Sequence, residues 1–547
     1  MSRERLYLFD TTLRDGAQTA GIEFSLEDKI AITRLLEELG VDYIEGGYPG
    51  ANPVDTDFFA ENRTRKATFT AFGMTKRAGR SASNDPGVTA IVQSAAAATC
   101  FVAKAWDYQV ELALGSTTDE HLEGITDTVK TAAAAGKEVL VDLEHFFDGY
   151  KANPKYALDC VKAAIAAGAR WVVLCDTNGG TMPAEVREIV GKVMEVAPGD
   201  RLGIHPHDDT GQAVANALAA VEAGVRQVQG TLNGLGERCG NTNLVTLIPT
   251  LVLKPYYAER FETGITPDQL GRITHISRAF DDRLNRAPAR QAPYVGASAF
   301  ATKAGIHASA LLKDFSTYEH VPPESVGNER AIMVSQQAGK SNLLTALARH
   351  GIELAKDDPR LEKLLATVKE HEARGYSYDG ADASFAVLAR RVLGTLPEYF
   401  QVEHYRAMVE RRHNALGEEV TVTEAVVKIR VEGELLMSVA EGNGPVNALD
   451  LALRKDLGVY SSRIEDLELA DFKVRILDGG TGAVTRVLVE SRDGSGERWT
   501  TIGVSSNIID ASFEALYESI TYKLLKTEAA RDSTVGANTA RQAQAVG

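Results

Sequence analysis

The sequence predicts an α/β chain: a (β/α)₈ TIM barrel, a mostly helical linker region, and a C-terminal α+β regulatory domain of two βββα units. Three observations support this prediction. Eight short β-rich runs alternate with longer helical stretches in residues 1–255, polar motifs follow several of these runs, and a segment repeats at an offset of 63 residues near the C-terminus. Strands that alternate with helices indicate parallel βαβ units, and eight such units in about 250 residues match a closed barrel.

We expect the eight strands, in chain order, at Leu6–Asp10, Tyr43–Gly47, Thr68–Gly73, Thr99–Lys104, Glu138–Glu144, Trp171–Asp176, Leu202–His207 and Gln227–Thr231. A helical pattern follows each strand, as in residues 25–40, 153–168 and 182–197. Ser25 suits an N-cap, and several helices begin with Pro or end in Gly. An open doubly wound sheet is the alternative, but no GxGxxG motif follows any of these strands.

Polar motifs concentrate at the carboxyl ends of the predicted strands. DTTLRDG follows the first strand, EHFFD ends the fifth, DTNGG the sixth and HPHDD the seventh, and NGLGERCGN follows the eighth. Barrel enzymes carry their catalytic residues at this end of the strands. The pattern therefore predicts an active site on that rim.

The strand rhythm stops after the barrel. Residues 256–420 look helical, with loops, and residues 421–526 are β-rich. Residues 437–453 align without gaps on residues 500–516, which predicts two β-rich units that each end in a helix. The tail, 527–547, has almost no large apolar residues, so we expect it to be disordered.

Composition and charge exclude several classes of partner. Lys and Arg number 59 against 75 Asp and Glu, a net charge of −16 that disfavours nucleic acid and anionic lipid. The four cysteines form no CxxC pair, which is typical of a reducing compartment. No signal-peptide pattern or stretch of about 18 apolar residues is present. We therefore expect a cytoplasmic protein that binds neither nucleic acid nor membrane.

A divalent metal is the first candidate ligand of the rim. His205 and His207 stand two residues apart on a predicted strand, so both imidazoles face the same side. Asp15 after strand 1 and Asn241 after strand 8 add oxygen donors, and a mixed N/O set suits Mn²⁺, Zn²⁺ or Mg²⁺. The alternative is a pair of partly exposed loop histidines.

Three further rim residues suggest chemistry on a 2-oxo acid. Arg14 could neutralise an oxyanion or clamp a carboxylate, or form only a salt bridge with Asp10 or Asp15. Glu144 could act as a base or orient one, and Thr177 could donate a hydrogen bond to a small carboxylate. A metal, an arginine and a carboxylate suit enolate chemistry, and aldol, Claisen and retro-aldol reactions all remain open.

Longer motifs carry a resemblance to a known family. TTLRDGAQ, HPHDD and NGLGERCGN resemble the DRE-TIM metallolyase superfamily, whose Asp-Arg-Glu set would be Asp15, Arg14 and Glu144 here. GNGPVNALD and AGIHASALLKDFSTYEHVPPESVGNER resemble the regulatory domain and linker of the 2-isopropylmalate synthase and homocitrate synthase family. LEHFFDGYKANP and the sequence HASA, where isopropylmalate synthases more often carry HQDG, resemble its citramalate synthase branch. Thr302 stands where a His is expected.

The resemblance implies an acyltransferase of isoleucine biosynthesis that makes (R)-citramalate and CoA from acetyl-CoA, pyruvate and water. Asp15, His205 and His207 would bind the metal. Arg14 would polarise the keto group of pyruvate, and Thr177 would bind its carboxylate.

The resemblance also implies how the acyl donor is activated. His307 matches the catalytic His of the family linker, with Glu144 as its partner, and Tyr318 would lie near the acyl donor. In the family the linker enters the barrel of a second subunit, so we expect a homodimer with a shared active site. Without the resemblance, His307 would be interpreted as a solvated loop histidine.

The C-terminal domain would bind an amino-acid effector. Its candidate carboxylate-binding turns contain Gly442, Asn443, Gly444, Ser506 and Asn507, whose backbone amides could cradle an anion. The resemblance implies isoleucine as feedback inhibitor for a citramalate route and leucine for an isopropylmalate route. The alternatives are dimerisation alone for this domain and, for the chain, a 2-isopropylmalate synthase acting on 2-oxoisovalerate, a metal-dependent aldol-type lyase, or a non-enzymatic amino-acid sensor.

Overall fold

The computed structural model of the chain describes residues 3–284, 286, 288–302, 307, 310–311, 313–332, 340–378, 380–413, 417–477 and 483–545. The chain divides into two compact units. The first comprises Met1–Phe300 and Glu319–Arg330, and the second comprises Ala301–Tyr318 and Ala331–Gly547. The four domains expected from the sequence, with boundaries at residues 255, 420 and 526, stay a prediction.

The first unit is built on a closed barrel of eight parallel strands. The strands β1–β8 are Tyr7–Asp10, Tyr43–Glu45, Thr68–Met74, Ala98–Lys104, Glu138–Glu144, Trp171–Asp176, Leu202–Pro206 and Gln227–Gly230. Strand β1 pairs with both β2 and β8, which closes the sheet on itself. The predicted (β/α)₈ barrel is confirmed, and each observed strand lies within two residues of its predicted bounds.

Helices surround the barrel, as the sequence pattern predicts. They are Leu26–Leu39, Pro53–Phe58, Pro86–Gln93, Asp107–Leu114, Thr118–Ala134, Phe146–Ala152, Pro154–Ala167, Pro183–Val193, Ala213–Ala223, Leu244–Leu253, Pro255–Ala258, Pro267–Leu270 and Ile273–Arg283. Ser25 caps the first helix in a capping box with Asp28, and Gly40 ends it at a φ of 91°, in the left-handed region that favours glycine.

Short elements complete this unit. They are the 3₁₀ turns Gly16–Gln18, Ala82–Asn84, Gly199–Arg201, Leu232–Gly234 and Pro323–Val326, and a parallel pair of strands, Glu4–Arg5 with Phe261–Glu262. No helix among the described residues is both long and apolar enough to cross a membrane.

Aromatic side chains fill the amino-terminal half of the barrel interior. Trp171 is fully buried, stacks edge-on against Tyr7, and donates a hydrogen bond of 3.1 Å from Nε1 to Tyr43 Oη. Tyr43 in turn donates to Glu138, over 2.6 Å. These residues close the amino-terminal end of the barrel, so its polar interior positions lie toward the carboxyl ends of the strands.

The second unit contains two βββα units, as predicted. The N-terminal βββα unit has strands β9–β11, which are Gln401–His413, Glu419–Val431 and Glu434–Gly442, and the helix Pro445–Lys455. The second has strands β12–β14 at Glu468–Ile476, Thr485–Arg492 and Arg498–Ser505 and the helix Ile508–Ala545. Both sheets are antiparallel. Gly442 and Ser505 end equivalent strands, and Pro445 and Ile508 begin equivalent helices, so the offset of 63 residues holds in three dimensions.

Further helices, two 3₁₀ turns and two short paired strands lie in the described part of this unit. They are Lys340–Arg349, Pro359–Ala373 and Asp382–Leu393, the turns Phe315–Thr317 and Gly458–Arg463, and the strands Ala301–Thr302 and Ala331–Ile332.

Two stretches differ from the sequence-based expectation. Strand β9 begins at Gln401, inside the region expected to be helical. The sequence does not predict this strand because an edge strand with charged residues on both faces lacks the period-2 pattern. The C-terminal helix continues to Ala545, through residues expected to be disordered. Ala, Gln and Arg are frequent there, and their high helix propensity is not captured by an argument from missing apolar residues.

Candidate active site and its metal centre

Three predicted metal ligands converge at the carboxyl end of the barrel. Asp15 lies in the turn after β1, His205 on β7, and His207 one residue past its end. One donor atom from each lies within 4.8 Å of the others, and all three residues are buried. Asp15 Oδ2 is 3.0 Å from His205 Nε2. The geometry brings together one oxygen and two nitrogen donors.

Unpaired buried atoms indicate that a cation fits this site. Among the described residues, His207 Nδ1 and Asn241 Oδ1 are buried without a hydrogen-bond partner. The Asn241 amide donates to the Leu235 carbonyl over 3.1 Å, and its backbone forms a bridge with His207. Burial of unpaired polar atoms is costly, and a divalent cation would satisfy both. The residues therefore fit a mixed N/O metal site.

The charges of the site favour an anionic Asp15 and a neutral His207. Burial raises the pKa of Asp15, but Arg14, whose Nη1 is 3.4 Å from Asp15 Oδ2, acts together with His205 and His207 to hold that pKa well below its usual range. Burial and the neighbouring His205 lower the pKa of His207 to about 4. At pH 7 the carboxylate is therefore ionised, and the imidazole of His207 has a lone pair available for a metal.

Arg14 is fixed by more than Asp15. Its Nε donates to Glu45 Oε2 over 2.7 Å, and its guanidinium carbon lies 4.1 Å from the centre of the Phe72 ring. Glu45 ends β2 and is fully buried. Three neighbours, one in the turn after β1 and the others on β2 and β3, thus hold one guanidinium on the rim, while some of its N–H groups remain available to a ligand.

Glu144 and Thr177 lie at the ends of neighbouring strands. Glu144 ends β5 and forms an ion pair with Lys104, which ends β4 and is its register partner. Thr177 Oγ1 accepts a hydrogen bond of 2.8 Å from the backbone N–H of His145. Since this bond uses an oxygen lone pair, the hydroxyl proton of Thr177 is free to donate.

His307 and Tyr318 belong to the second unit. Their rings stack, with centroids 4.4 Å apart, and both residues are exposed. Residues 303–306 and 308–309, which flank the histidine, lie outside the described residues. Thr302 forms part of a two-residue strand.

The five candidate effector residues lie in equivalent turns. Gly444 and Asn507 directly precede the two equivalent helices. Two of the expected backbone donors are already used, since Asn443 N donates to Asn447 Oδ1 over 3.0 Å and Asn507 N donates to Ser505 Oγ over 3.1 Å. Gly442 and Ser506 lie beside these residues in the same turns.

Four polar residues of the site were not predicted from the sequence. They are Glu45, Lys104, Asp142 and Gln229, which lie on β2, β4, β5 and β8. Each occupies an ordinary strand position in the sequence. Their one shared signal is a charged or amide side chain within a buried strand, a type of residue that is rarely buried without a partner.

Comparisons with known proteins agree with this fold. A family described as HMGL-like matches residues 5–276, a homocitrate synthase post-HMGL domain-like family matches residues 294–375, and a LeuA allosteric (dimerisation) domain matches residues 379–524.

Relatives that match almost the full length of the chain point to the same group of enzymes. The (R)-citramalate synthase of Aquifex aeolicus is 46% identical over 530 residues, which cover 96% of this chain and 99% of that protein. That of Streptomyces coelicolor is 47% identical over 531 residues, covering 96% and 97%. A 2-isopropylmalate synthase of Solidesulfovibrio magneticus is 31% identical over 532 residues, covering 96% and 98%. Since identity to the first two is much higher over the same length, the chain belongs to the (R)-citramalate synthase family.

Proposed function

We propose that this chain is an (R)-citramalate synthase, an acyltransferase that condenses acetyl-CoA with pyruvate and water to give citramalate and CoA. The observation that carries the proposal is identity of 46–47% to (R)-citramalate synthases over almost the full length. The LeuA-type domain adds feedback regulation. Identity of 31% to 2-isopropylmalate synthases makes that activity the second candidate.

The metal of the site is a divalent cation held by Asp15, His205, His207 and Asn241. Mn²⁺, Zn²⁺ and Mg²⁺ all suit two imidazoles with carboxylate and amide oxygens. A cation bound there would act as a Lewis acid that polarises the keto group of a 2-oxo acid.

Arg14 stabilises the charge that develops on the keto oxygen of pyruvate. Its contacts with Asp15, Glu45 and Phe72 hold the guanidinium before the reaction starts, so little reorganisation is needed as the alkoxide forms. Thr177 donates its free hydroxyl proton to the carboxylate of pyruvate, since its oxygen already accepts from His145.

The base of the reaction is His307, oriented by Glu144. The imidazole takes a proton from the methyl group of acetyl-CoA, and the carboxylate stabilises the imidazolium that results. Tyr318, which stacks on His307, lies near the acyl donor. The resulting enolate attacks the keto carbon of pyruvate, and hydrolysis of the citramalyl-CoA thioester by water releases citramalate and CoA. We propose that the barrel of one subunit and the His307 segment of a second subunit form each active site of a homodimer.

Isoleucine is the proposed effector. The turns that contain Gly442, Asn443, Gly444, Ser506 and Asn507 precede two equivalent helices, and helix N-termini favour a carboxylate. In each turn one backbone N–H group already donates a hydrogen bond, and the remaining backbone N–H groups could bind the carboxylate of the effector.

Release of free CoA tests the activity. The protein is given acetyl-CoA, Mn²⁺ and, separately, pyruvate, 2-oxoisovalerate or 2-oxoglutarate, and the thiol is measured. The proposal predicts fastest release with pyruvate and a product that co-elutes with (R)-citramalate on a chiral column. Preference for 2-oxoisovalerate would instead identify a 2-isopropylmalate synthase. No release with any acid, from folded protein shown to bind metal, would contradict both.

Subunit mixing tests the shared active site. Arg14→Ala and His307→Ala chains are each expected to be inactive, but a heterodimer of the two has one site with both residues intact. Random exchange of equal amounts gives half heterodimers, so activity is expected to recover to about a quarter of the wild-type value. No recovery, in a mixture shown to exchange subunits, would contradict the shared site.

A further inference from the structure

A hydrogen-bonded chain runs from His205 into the interior of the barrel. His205 Nδ1 lies 2.7 Å from Gln229 Oε1, and Gln229 Nε2 donates to Asp142 Oδ1 over 3.0 Å. The three residues come from β7, β8 and β5. All are at least 96% buried, so no water competes for these bonds.

The chain fixes which nitrogen of His205 carries the proton. The hydrogen bond from Gln229 Nε2 to Asp142 Oδ1 orients the amide of Gln229 with its N–H₂ group inward and its oxygen toward His205. An amide oxygen accepts but does not donate, so Nδ1 of His205 is the protonated nitrogen. In the neutral, metal-binding form of the ring the lone pair is then on Nε2, the nitrogen that lies 3.0 Å from Asp15 Oδ2.

We propose that Gln229 and Asp142 are positioning residues of the metal centre, which hold His205 in the tautomer and orientation that present Nε2 to the cation. This inference rests on the metal site of the proposed function. Neither residue is among the proposed ligands of the cation. Hydrogen-bond partners of metal-binding imidazoles raise their basicity and restrict their rotation, and removing such a partner commonly weakens metal binding 10- to 100-fold.

The same strand provides a matched control. Gln227 lies two residues before Gln229 on β8, on the same inward face, and is fully buried. Among the described residues its amide nitrogen and oxygen have no hydrogen-bond partner. A buried glutamine is therefore not sufficient for the proposed role, and replacement of Gln227 separates general effects of a core substitution from loss of the chain.

Metal affinity tests the proposal. Binding of Mn²⁺ to full-length protein is measured by calorimetry for wild type, Gln229→Met, Gln227→Met and His205→Ala, and circular dichroism checks that each variant is folded. Methionine keeps the shape of glutamine without its hydrogen bonds. We expect Gln229→Met to weaken Mn²⁺ binding about 10- to 100-fold, and Gln227→Met to leave the affinity for Mn²⁺ unchanged.

Equal affinity in Gln229→Met and wild type would overturn the positioning role and leave the metal site intact. Failure of wild type to bind Mn²⁺, or unchanged binding in His205→Ala, would instead overturn the metal site and the proposed function with it. Asp142→Asn provides a conservative variant, since its amide oxygen still accepts from Gln229. Its loss of affinity is expected to be smaller than that of Asp142→Leu, and equal losses would contradict the chain.

Spectroscopy tests the tautomer without any change in the core. In protein with ¹⁵N-labelled histidine and bound Zn²⁺, the signals of His205 are identified by their loss in His205→Ala. A protonated, pyrrole-type Nδ1 is the expected result. A pyridine-type Nδ1 on His205 would overturn the proposal even if the Gln229 variants failed to fold.

Discussion

Lys29 joins the two rim segments that hold Arg14. It lies on the helix Leu26–Leu39 and is 4% exposed. Its ammonium donates to the carbonyls of Leu13 and Gly46, over 3.1 and 2.7 Å, and pairs with the buried carboxylate of Asp55. Leu13 immediately precedes Arg14. Replacement of Lys29 by Met is therefore expected to reduce both stability and turnover.

The expected loss of stability follows from these three contacts. Lys29→Met leaves two carbonyls without this donor and a buried carboxylate without its counter-ion, although Asp55 still accepts from Tyr48 N over 2.9 Å. Removing one partner of a buried ion pair costs about 3–5 kcal/mol. Replacing both partners, as Lys29→Met/Asp55→Leu, avoids an unpaired charge. We expect the double variant to be about 2–3 kcal/mol more stable than the sum of the two single losses.

Urea unfolding and CoA release measure the two effects. The control is Lys155→Met, which removes an ion pair with Asp159 at 2.7 Å whose lysine side chain is 89% exposed. Such surface pairs contribute little to stability because water and salt screen them. Equal losses for Lys29→Met and Lys155→Met, or strict additivity of Lys29→Met and Asp55→Leu, would refute the reasoning.

Four other predictions concern the site and the second unit. His205→Ala is expected to abolish metal binding and CoA release together, measured by calorimetry and thiol assay. Arg14→Ala should retain metal binding but lower kcat about 10²- to 10³-fold, as for loss of an oxyanion donor; near-normal kcat would remove Arg14 from the mechanism. Burial raises the pKa of Glu518 from 4.5 to about 7, so the folded chain retains a proton that the unfolded chain loses, and stability falls as pH rises from 5 to 8. Glu518→Gln should therefore raise the free energy of unfolding by about 3 kcal/mol at pH 8 and by little at pH 5, with unfolding followed at both pH values. An increase that does not depend on pH would contradict the raised pKa of Glu518. At Gly442 a Cβ would lie 2.6 Å from Ala448 N, so Gly442→Val should shift the turn and abolish inhibition of CoA release by isoleucine; full inhibition would place the effector elsewhere.

The barrel and the cluster of candidate metal ligands could be predicted because their signals are local. Strand β7 has a histidine on its inward face, and another follows at the next inward position. Closure of eight parallel strands then brings Asp15 close to both histidines. A count of eight strands therefore suffices to place the carboxylate after the first strand beside the two histidines.

The residues that support the site could not be predicted in this way. Arg14 and Glu45 are 31 residues apart, and Gln229 and Asp142 are 87 apart. Nothing near Glu45 or Gln229 in the sequence indicates which side chain each contacts. Only the pairing and stagger of the strands decide that, and the pattern of apolar residues does not specify stagger to within one side chain.

Competition between two acceptor acids in one reaction tests whether this chain prefers pyruvate. Wild-type protein is given acetyl-CoA, Mn²⁺ and equal concentrations of pyruvate and 2-oxoisovalerate, and the two products are quantified by mass spectrometry. Their initial ratio equals the ratio of the two kcat/KM values. The account predicts that citramalate predominates at least tenfold, a difference of about 1.4 kcal/mol in transition-state binding. An excess of 2-isopropylmalate would contradict it.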